Sequence, residues 1–179
     1  MGPGATLVVE PVAATLALPG AALTTSQLDV TVAAGGRLVL DEGPLIVASG
    51  ARVRRRCTIE LAAGAIVALR ETVVLGRDGE SPGALESTLR VTLAGRPLLH
   101  DGLRFDTGGT SDDAHVACAP GHRVLATLGL LGTRPRRAVC GVLALEGIGA
   151  LRRATGPSLA TVDAELDELW RAWSLAARA

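Results

Sequence analysis

Apolar and polar residues alternate through the first hundred residues of this chain, and glycines interrupt the alternation at a nearly constant interval. Gly4, Gly35, Gly64 and Gly95 each open a short apolar run that ends on a charged residue, at spacings of 31, 29 and 31. The runs end at Glu10, Asp41, Arg70 and Asp101. Ahead of the last three glycines the pattern has period 2. Leu28, Val30 and Val32 precede Gly35, Cys57, Ile59 and Leu61 precede Gly64, and Leu89, Val91 and Leu93 precede Gly95. Polar residues such as Asp29, Thr31, Thr58, Glu60, Arg90 and Thr92 lie between them. Such alternation predicts strands with one buried and one wet face. The Ala-Gly and Ala-Ala-Gly junctions suit tight turns. Each unit therefore reads as strand, tight turn, strand.

A unit of this size cannot bury a face alone and must stack on its neighbours. The expected fold is mainly β, a stacked β-hairpin or β-solenoid-like array over residues 1–105. Residues 106–179 are expected to add short strands and a helix, continuous with the first part. Asp106 to Asp113 reads as loop. Val124–Leu131, Val139–Leu145 and Ala150–Arg153 read as strands, with Arg134-Pro135-Arg136-Arg137 as a break after the first of them. Ser158, after Gly156-Pro157, is placed to cap a C-terminal amphipathic helix. Its apolar stripe is Leu159, Val162, Leu166, Leu169, Trp170 and Trp173.

Composition narrows the function classes. The 179 residues carry 18 basic and 18 acidic side chains, so no net field draws the chain to nucleic acid or to anionic lipid. Every basic residue is arginine, Tyr is absent and Phe105 is the single Phe. With so few aromatic rings, base stacking is excluded as a mode of recognition. Cys57, Cys118 and Cys140 are odd in number and far apart, which argues against a disulfide framework and for a reducing, cytoplasmic setting. No apolar run approaches the roughly 18 residues of a membrane-spanning helix. The N-terminus, which includes Glu10, lacks the basic start of a signal peptide.

Two segments carry candidate chemistry. Arg70 to Glu80 runs from a β-branched strand into a loop with four charges and two glycines, where Arg77 and Glu80 are placed to form a bidentate ion pair. Gly76 and Gly79 would supply its turns, so Gly76, Arg77, Gly79 and Glu80 are expected to be structural. His115, Cys118 and His122 lie within eight residues around a Pro-Gly turn and could hold zinc or nickel, though no fourth ligand accompanies them. They define the alternative function, a small metal-dependent enzyme. No nucleophile, base and oxyanion set accompanies either segment. Arg54-Arg55-Arg56 reads as a solvated strand edge or a protein contact.

An ordered set of motifs resembles the urease accessory protein D family, UreD. The set comprises Ala13-Ala14-Thr15, Pro44-Leu45-Ile46 with Gly50-Ala51, Glu71 followed by Leu75-Gly76-Arg77 and Gly79-Glu80, Pro97-Leu98 with Asp101, and a closing segment from Thr155 to Trp173. The family's stretch before Ala-Ala-Thr is longer and includes a Gly-Gly-Asp loop; twelve residues stand there in this chain. The resemblance implies a mostly β fold and a non-catalytic nickel-insertion chaperone. Its implied partners are urease apoprotein, a UreF-like accessory protein and a UreG-like GTPase. Nickel would be bound only transiently. Glu71, Asp101 and Thr15 match family positions suited to such a route, and no tightly bound cofactor is expected.

Overall fold

The computed structural model describes residues 1–106 and 122–179. The strands are β1 (Thr6–Val9), β2 (Thr15–Ala17), β3 (Thr24–Val32), β4 (Arg37–Val47), β5 (Arg52–Leu61), β6 (Ile66–Leu75), β7 (Ala84–Leu93), β8 (Arg96–Phe105), β9 (Val124–Leu131), β10 (Val142–Ala144) and β11 (Gly149–Gly156). One helix, α1 (Leu159–Arg178), follows them. A seven-stranded sheet has the order β1-β4-β6-β9-β11-β10, with β2 also paired to β4. A four-stranded sheet has the order β3-β5-β7-β8.

The thirty-residue repeat appears as parallel stacking. Leu28 pairs with Cys57 and Cys57 with Leu89, while Leu7 pairs with Leu38 and Leu38 with Val67. Of the two stacked forms the pattern allowed, the solenoid-like one is found. The strands flanking Gly35 and Gly64 are not hydrogen-bonded hairpins, because β3 and β5 lie in one sheet and β4 and β6 in the other. The chain crosses between sheets through Ala33–Gly36 and again through Ala62–Ala65, and their inward side chains meet across the gap. Val32, Ile59, Leu61 and Leu89 pack there against Leu38, Leu40, Val67 and Leu69. The fourth unit differs because its turn is shorter. Only Ala94 and Gly95 separate Leu93 from its partner Arg96, and both take positive φ, 49° and 75°. That geometry suits a two-residue hairpin turn. Strand β8 therefore folds back beside β7 and does not cross.

The vacant fourth position in the seven-stranded sheet is taken by β9, antiparallel to β6. Every residue of β9 is buried, since one face meets the four-stranded sheet and the other meets α1. Strand β11 pairs next to β9, so strands from both halves of the sequence share one sheet. The helix starts at Ser158, whose hydroxyl accepts a hydrogen bond from the Thr161 amide. It buries Val162, Leu166, Trp173 and Ala177 against Val39, Ala68, Leu128 and Ala154 on the outer face of the sheet. Arg70 of β6 reaches up to the helix, with Nη2 at 2.6 Å from Asp163 and Nη1 at 3.5 Å from Asp167. Two of the helix's acidic residues thus reach an arginine of the sheet from the flank of the apolar stripe.

The edge formed by β1 and β2 leaves Leu7, Val8, Val9, Val12 and Leu16 exposed. An apolar edge with free backbone groups favours strand addition and self-association. Replacing Leu7 and Leu16 together by Lys should lower light scattering at high protein concentration and leave the melting temperature nearly unchanged. Unchanged scattering would show that this edge does not drive association.

Candidate functional site

A charged layer crosses the interior of the sandwich. The inward positions of β6 are Val67, Leu69, Glu71, Val73 and Leu75, and those of β5 are Val53, Arg55, Cys57, Ile59 and Leu61. Glu71 and Arg55 therefore stand where the alternation calls for apolar side chains. They separate two cores, one around Leu69 and Ile59, the other around Val73 and Val53. Along the seven-stranded sheet the layer continues by pairing, from Glu71 to Thr127 and from Thr127 to Arg153. On the opposite sheet Arg55 pairs with Ser87, and Asp101 stands beside Leu89.

Glu42, in phase with Leu38 and Leu40, joins the layer at a β-bulge. The register of β4 against β6 shifts between Asp41 and Pro44, so that Glu42 and Gly43 oppose Glu71 alone. Bulges of this kind re-aim side chains. Before the bulge Leu38 and Leu40 point inward; after it Leu45 and Val47 do. Gly43 takes φ +74°, and a Cβ there would lie 2.7 Å from Pro11 Cβ, so the bulge requires glycine.

Arg55 is 6% exposed and binds two carboxylates. Its Nη2 donates to Glu42 Oε1 at 2.6 Å and lies 3.1 Å from Glu71 Oε1. The second contact is electrostatic only: Glu71 Oε1 is buried and accepts no hydrogen bond. Burial lifts the Glu71 carboxyl above its ordinary range; Arg55 opposes the shift, and Glu42 and Asp101 reinforce it. Burial disfavours the Arg55 cation, but Glu71 and Glu42 outweigh that effect and hold it charged. The Cys57 thiol lies between these carboxylates and is pushed up to about 12, first by burial and then by Glu71 and Glu42. Ligand atoms of Glu42, Cys57 and Glu71 all fall within 4.8 Å of one another.

The far end of the layer is a second ion pair. Arg153 binds Asp101, and its Nε donates to Thr127 Oγ1 at 3.2 Å. Arg55, Glu71, Ser87, Thr127, Asp101 and Arg153 enclose a cavity of about 20 Å³, room for roughly one water molecule. Both ends of the layer reach solvent, at Glu42 (26% exposed) and at Asp101 and Arg153 (25% and 38%).

The expected site residues divide accordingly. Glu71 and Asp101 converge on the cavity. They do so across the sandwich and not in adjacent layers of one sheet, because β8 folds back into the four-stranded sheet. Thr15 lies on edge strand β2 opposite Leu45, exposed and outside the cavity lining. In the loop after β6, Gly76 and Gly79 take positive φ, and Arg77 Nε donates to Glu80 Oε1 at 2.8 Å. Arg123, which sequence reasoning passed over, donates to the carbonyls of Arg77 and Glu80. His115 and Cys118 lie outside the described residues. His122 places Nδ1 2.7 Å from Thr155 Oγ1. The reading of Arg54-Arg55-Arg56 as a solvated edge is corrected for Arg55, which is buried while its neighbours are exposed. The missed signal was parity, since Arg55 shares its face with Val53, Cys57 and Ile59.

The whole chain, residues 1–179, matches the family model described as UreD urease accessory protein. The chain belongs to the UreD family. It is 48% identical over 97 residues to the urease accessory protein UreD of Frankia alni, an alignment covering 53% of this chain and 33% of that protein. It is 40% identical over 129 residues to UreD 3 of Streptomyces griseus subsp. griseus, covering 70% and 50%. UreD 1 of the same organism is 34% identical over 179 residues, covering 97% and 68%. The chain thus spans between a third and about two thirds of the length of these UreD relatives, which are named as accessory proteins and not as enzymes.

Two stability outcomes follow from the geometry. Arg55→Ala strands the buried Glu71 carboxylate beside the half-buried Glu42 and should cost about 3–5 kcal/mol in denaturant unfolding. Replacing Arg55, Glu42 and Glu71 together by Met, Leu and Leu should recover most of that loss, since no charge is then left buried. A triple variant no more stable than the single one would refute this account. In the loop, hydrogen bonds from the Arg77 side chain and amide hold Glu80 well below the usual carboxylate range, at about 2. A depressed carboxyl pKa stabilises the fold above the unfolded value and loses that effect as pH falls through the folded one. Arg77→Ala should lower the melting temperature near neutral pH, and the gap from wild type should close between about pH 4.5 and 2. A gap that persists at pH 2 would show that the pair is not its source.

Proposed function

We propose that this chain is a non-catalytic nickel-insertion chaperone for urease, and that the charged layer is the path of the ion. Membership of the UreD family supports the first part, and relatives bearing that family's name are urease accessory proteins. The observation that carries the second part is the layer itself. An array of carboxylates and hydroxyls crosses an otherwise apolar sandwich and meets solvent at both ends, with one buried carboxylate oxygen left without a hydrogen bond.

The donor set suits transit more than storage. Glu42, Glu71 and Asp101 offer hard oxygens, which bind a divalent cation without the tight grip of a thiolate or imidazole cage. Cys57 is held as the neutral thiol and so is a poor ligand until an ion displaces its proton. Arg55 and Arg153 already neutralise these carboxylates. An entering cation would therefore take the place of a guanidinium, and each arginine must swing aside as the ion passes. That exchange keeps the interior close to neutral throughout. The chain would work in the cytoplasm beside urease apoprotein, a UreF-like accessory protein and a UreG-like GTPase, holding nickel only in passing.

The test is reconstituted urease activation. Glu71→Ala and Asp101→Ala should leave the complex with urease assembled on size exclusion, while nickel content and activity fall severalfold. Loss of assembly in either variant, or full activation in both, would remove these residues from the path.

A further inference from the structure

On the outer face of the seven-stranded sheet, an open groove runs between the C-terminal half of α1 and the segment after β9. Its volume is about 650 Å³, within the size range of ligand and peptide pockets. Leu169 and Ala172 of the helix and Val139 of the facing segment offer its apolar surface, Trp173 being buried in the core beneath, and Arg37, Arg134, Arg136 and Arg137 stand around it. Arg134, Arg136 and Arg137 are exposed. None of the four makes an ion pair with any described residue, whereas the other arginines around the helix, Arg70, Arg152 and Arg178, each bind a carboxylate. Two acidic residues, Glu165 and Glu168, also line the groove, and Glu165 is already bound to Arg152. The net charge of the lining is therefore positive.

We propose that this groove binds an acidic, amphipathic segment of a partner protein, with carboxylates on the arginine rim and one large apolar side chain on the apolar surface of Leu169, Ala172 and Val139. Three features favour that occupant. Four guanidinium forks without counter-charge match carboxylates spread along a chain. The volume greatly exceeds what a single inorganic anion fills. An apolar centre bordered by exposed Arg has the arrangement of a protein-binding patch, an apolar core with a polar rim. The inference is independent of the nickel path, because no residue of the groove belongs to the charged layer.

The probe is a short fluorescein-labelled peptide, rich in Glu with one central Leu, titrated with the full chain and followed by fluorescence anisotropy. Binding should weaken as salt is raised. The triple variant R134E/R136E/R137E should lose tenfold or more in affinity, and Ala172→Glu, which puts a charge on the exposed helix surface lining the groove, should do the same. Both should keep the wild-type melting temperature. A peptide with Gln for Glu should bind much more weakly. Equal binding by wild type and both variants, or by the Glu and Gln peptides, would overturn the proposal. So would tighter binding of inorganic polyphosphate or duplex DNA than of the peptide, which would make the groove a general polyanion site.

Discussion

The guanidinium of Arg55 lies in the middle of a β-sandwich, and the arrangement around it follows from keeping that charge compensated. Moving an ion from water into such an interior costs several kcal/mol even after relaxation. Glu42 and Glu71 offset the cost, but only because the backbone brings them within 2.6 and 3.1 Å. Two carboxylates held that close would repel without the arginine, and the arginine would be unstable without them. The bulge at Glu42-Gly43 serves the packing beyond that cluster, since an unbroken β4 would carry its inward face from Glu42 on to Pro44 and Ile46 and push Leu45 and Val47 outward. One extra residue in one strand thus lets β4 present Glu42 to the ion cluster and still turn Leu45 and Val47 into the second apolar core.

An apolar trio at these positions would fold at least as well, so stability does not explain the layer. A continuous line of ionisable groups through a core, wet at both ends and including an oxygen with no hydrogen-bond donor, fits a role in handling charge. That is the feature on which the proposed cation path rests. The loop at Gly76–Glu80 and the helix contacts through Arg70 lie outside the layer and hold the sheets that frame it. Arg123 ties the loop to β9, and Asp163 and Asp167 tie the helix to β6.

The two-sheet stack places its functions on separate surfaces. The layer lies between the sheets, whereas the arginine-rimmed groove is built on the outer face, where α1 covers β9 and leaves an opening beside Arg134–Arg137. A helix laid on one face of a solenoid-like sheet protects that face and also creates a groove along its own flank. The loop after β9, rich in arginine, borders that groove without deforming the core.

The amino-acid sequence alone determined the strands, the repeat and the helix. Period-2 alternation has one physical cause, a sheet with one face buried, and Ser158 with the stripe from Val162 to Trp173 fits a capped helix and little else. The pattern gave every unit the same tight turn; only the structure separates the crossings at Ala33–Gly36 and Ala62–Ala65 from the hairpin at Ala94-Gly95. Glu71 and Asp101 were legible through the ordered motifs. Arg55 and Glu42 were not, because a charged residue among alternating apolar ones reads as solvent-facing until its parity is followed: Arg55 shares its face with Val53 and Cys57, and Glu42 with Leu38 and Leu40. Only the tertiary structure decided that β9 would fill the position β8 left vacant, and that choice brings Thr127 and Arg153 to Glu71. Such pairing depends on which edge is free once the neighbouring strands have folded, and no local pattern in β9 specifies it.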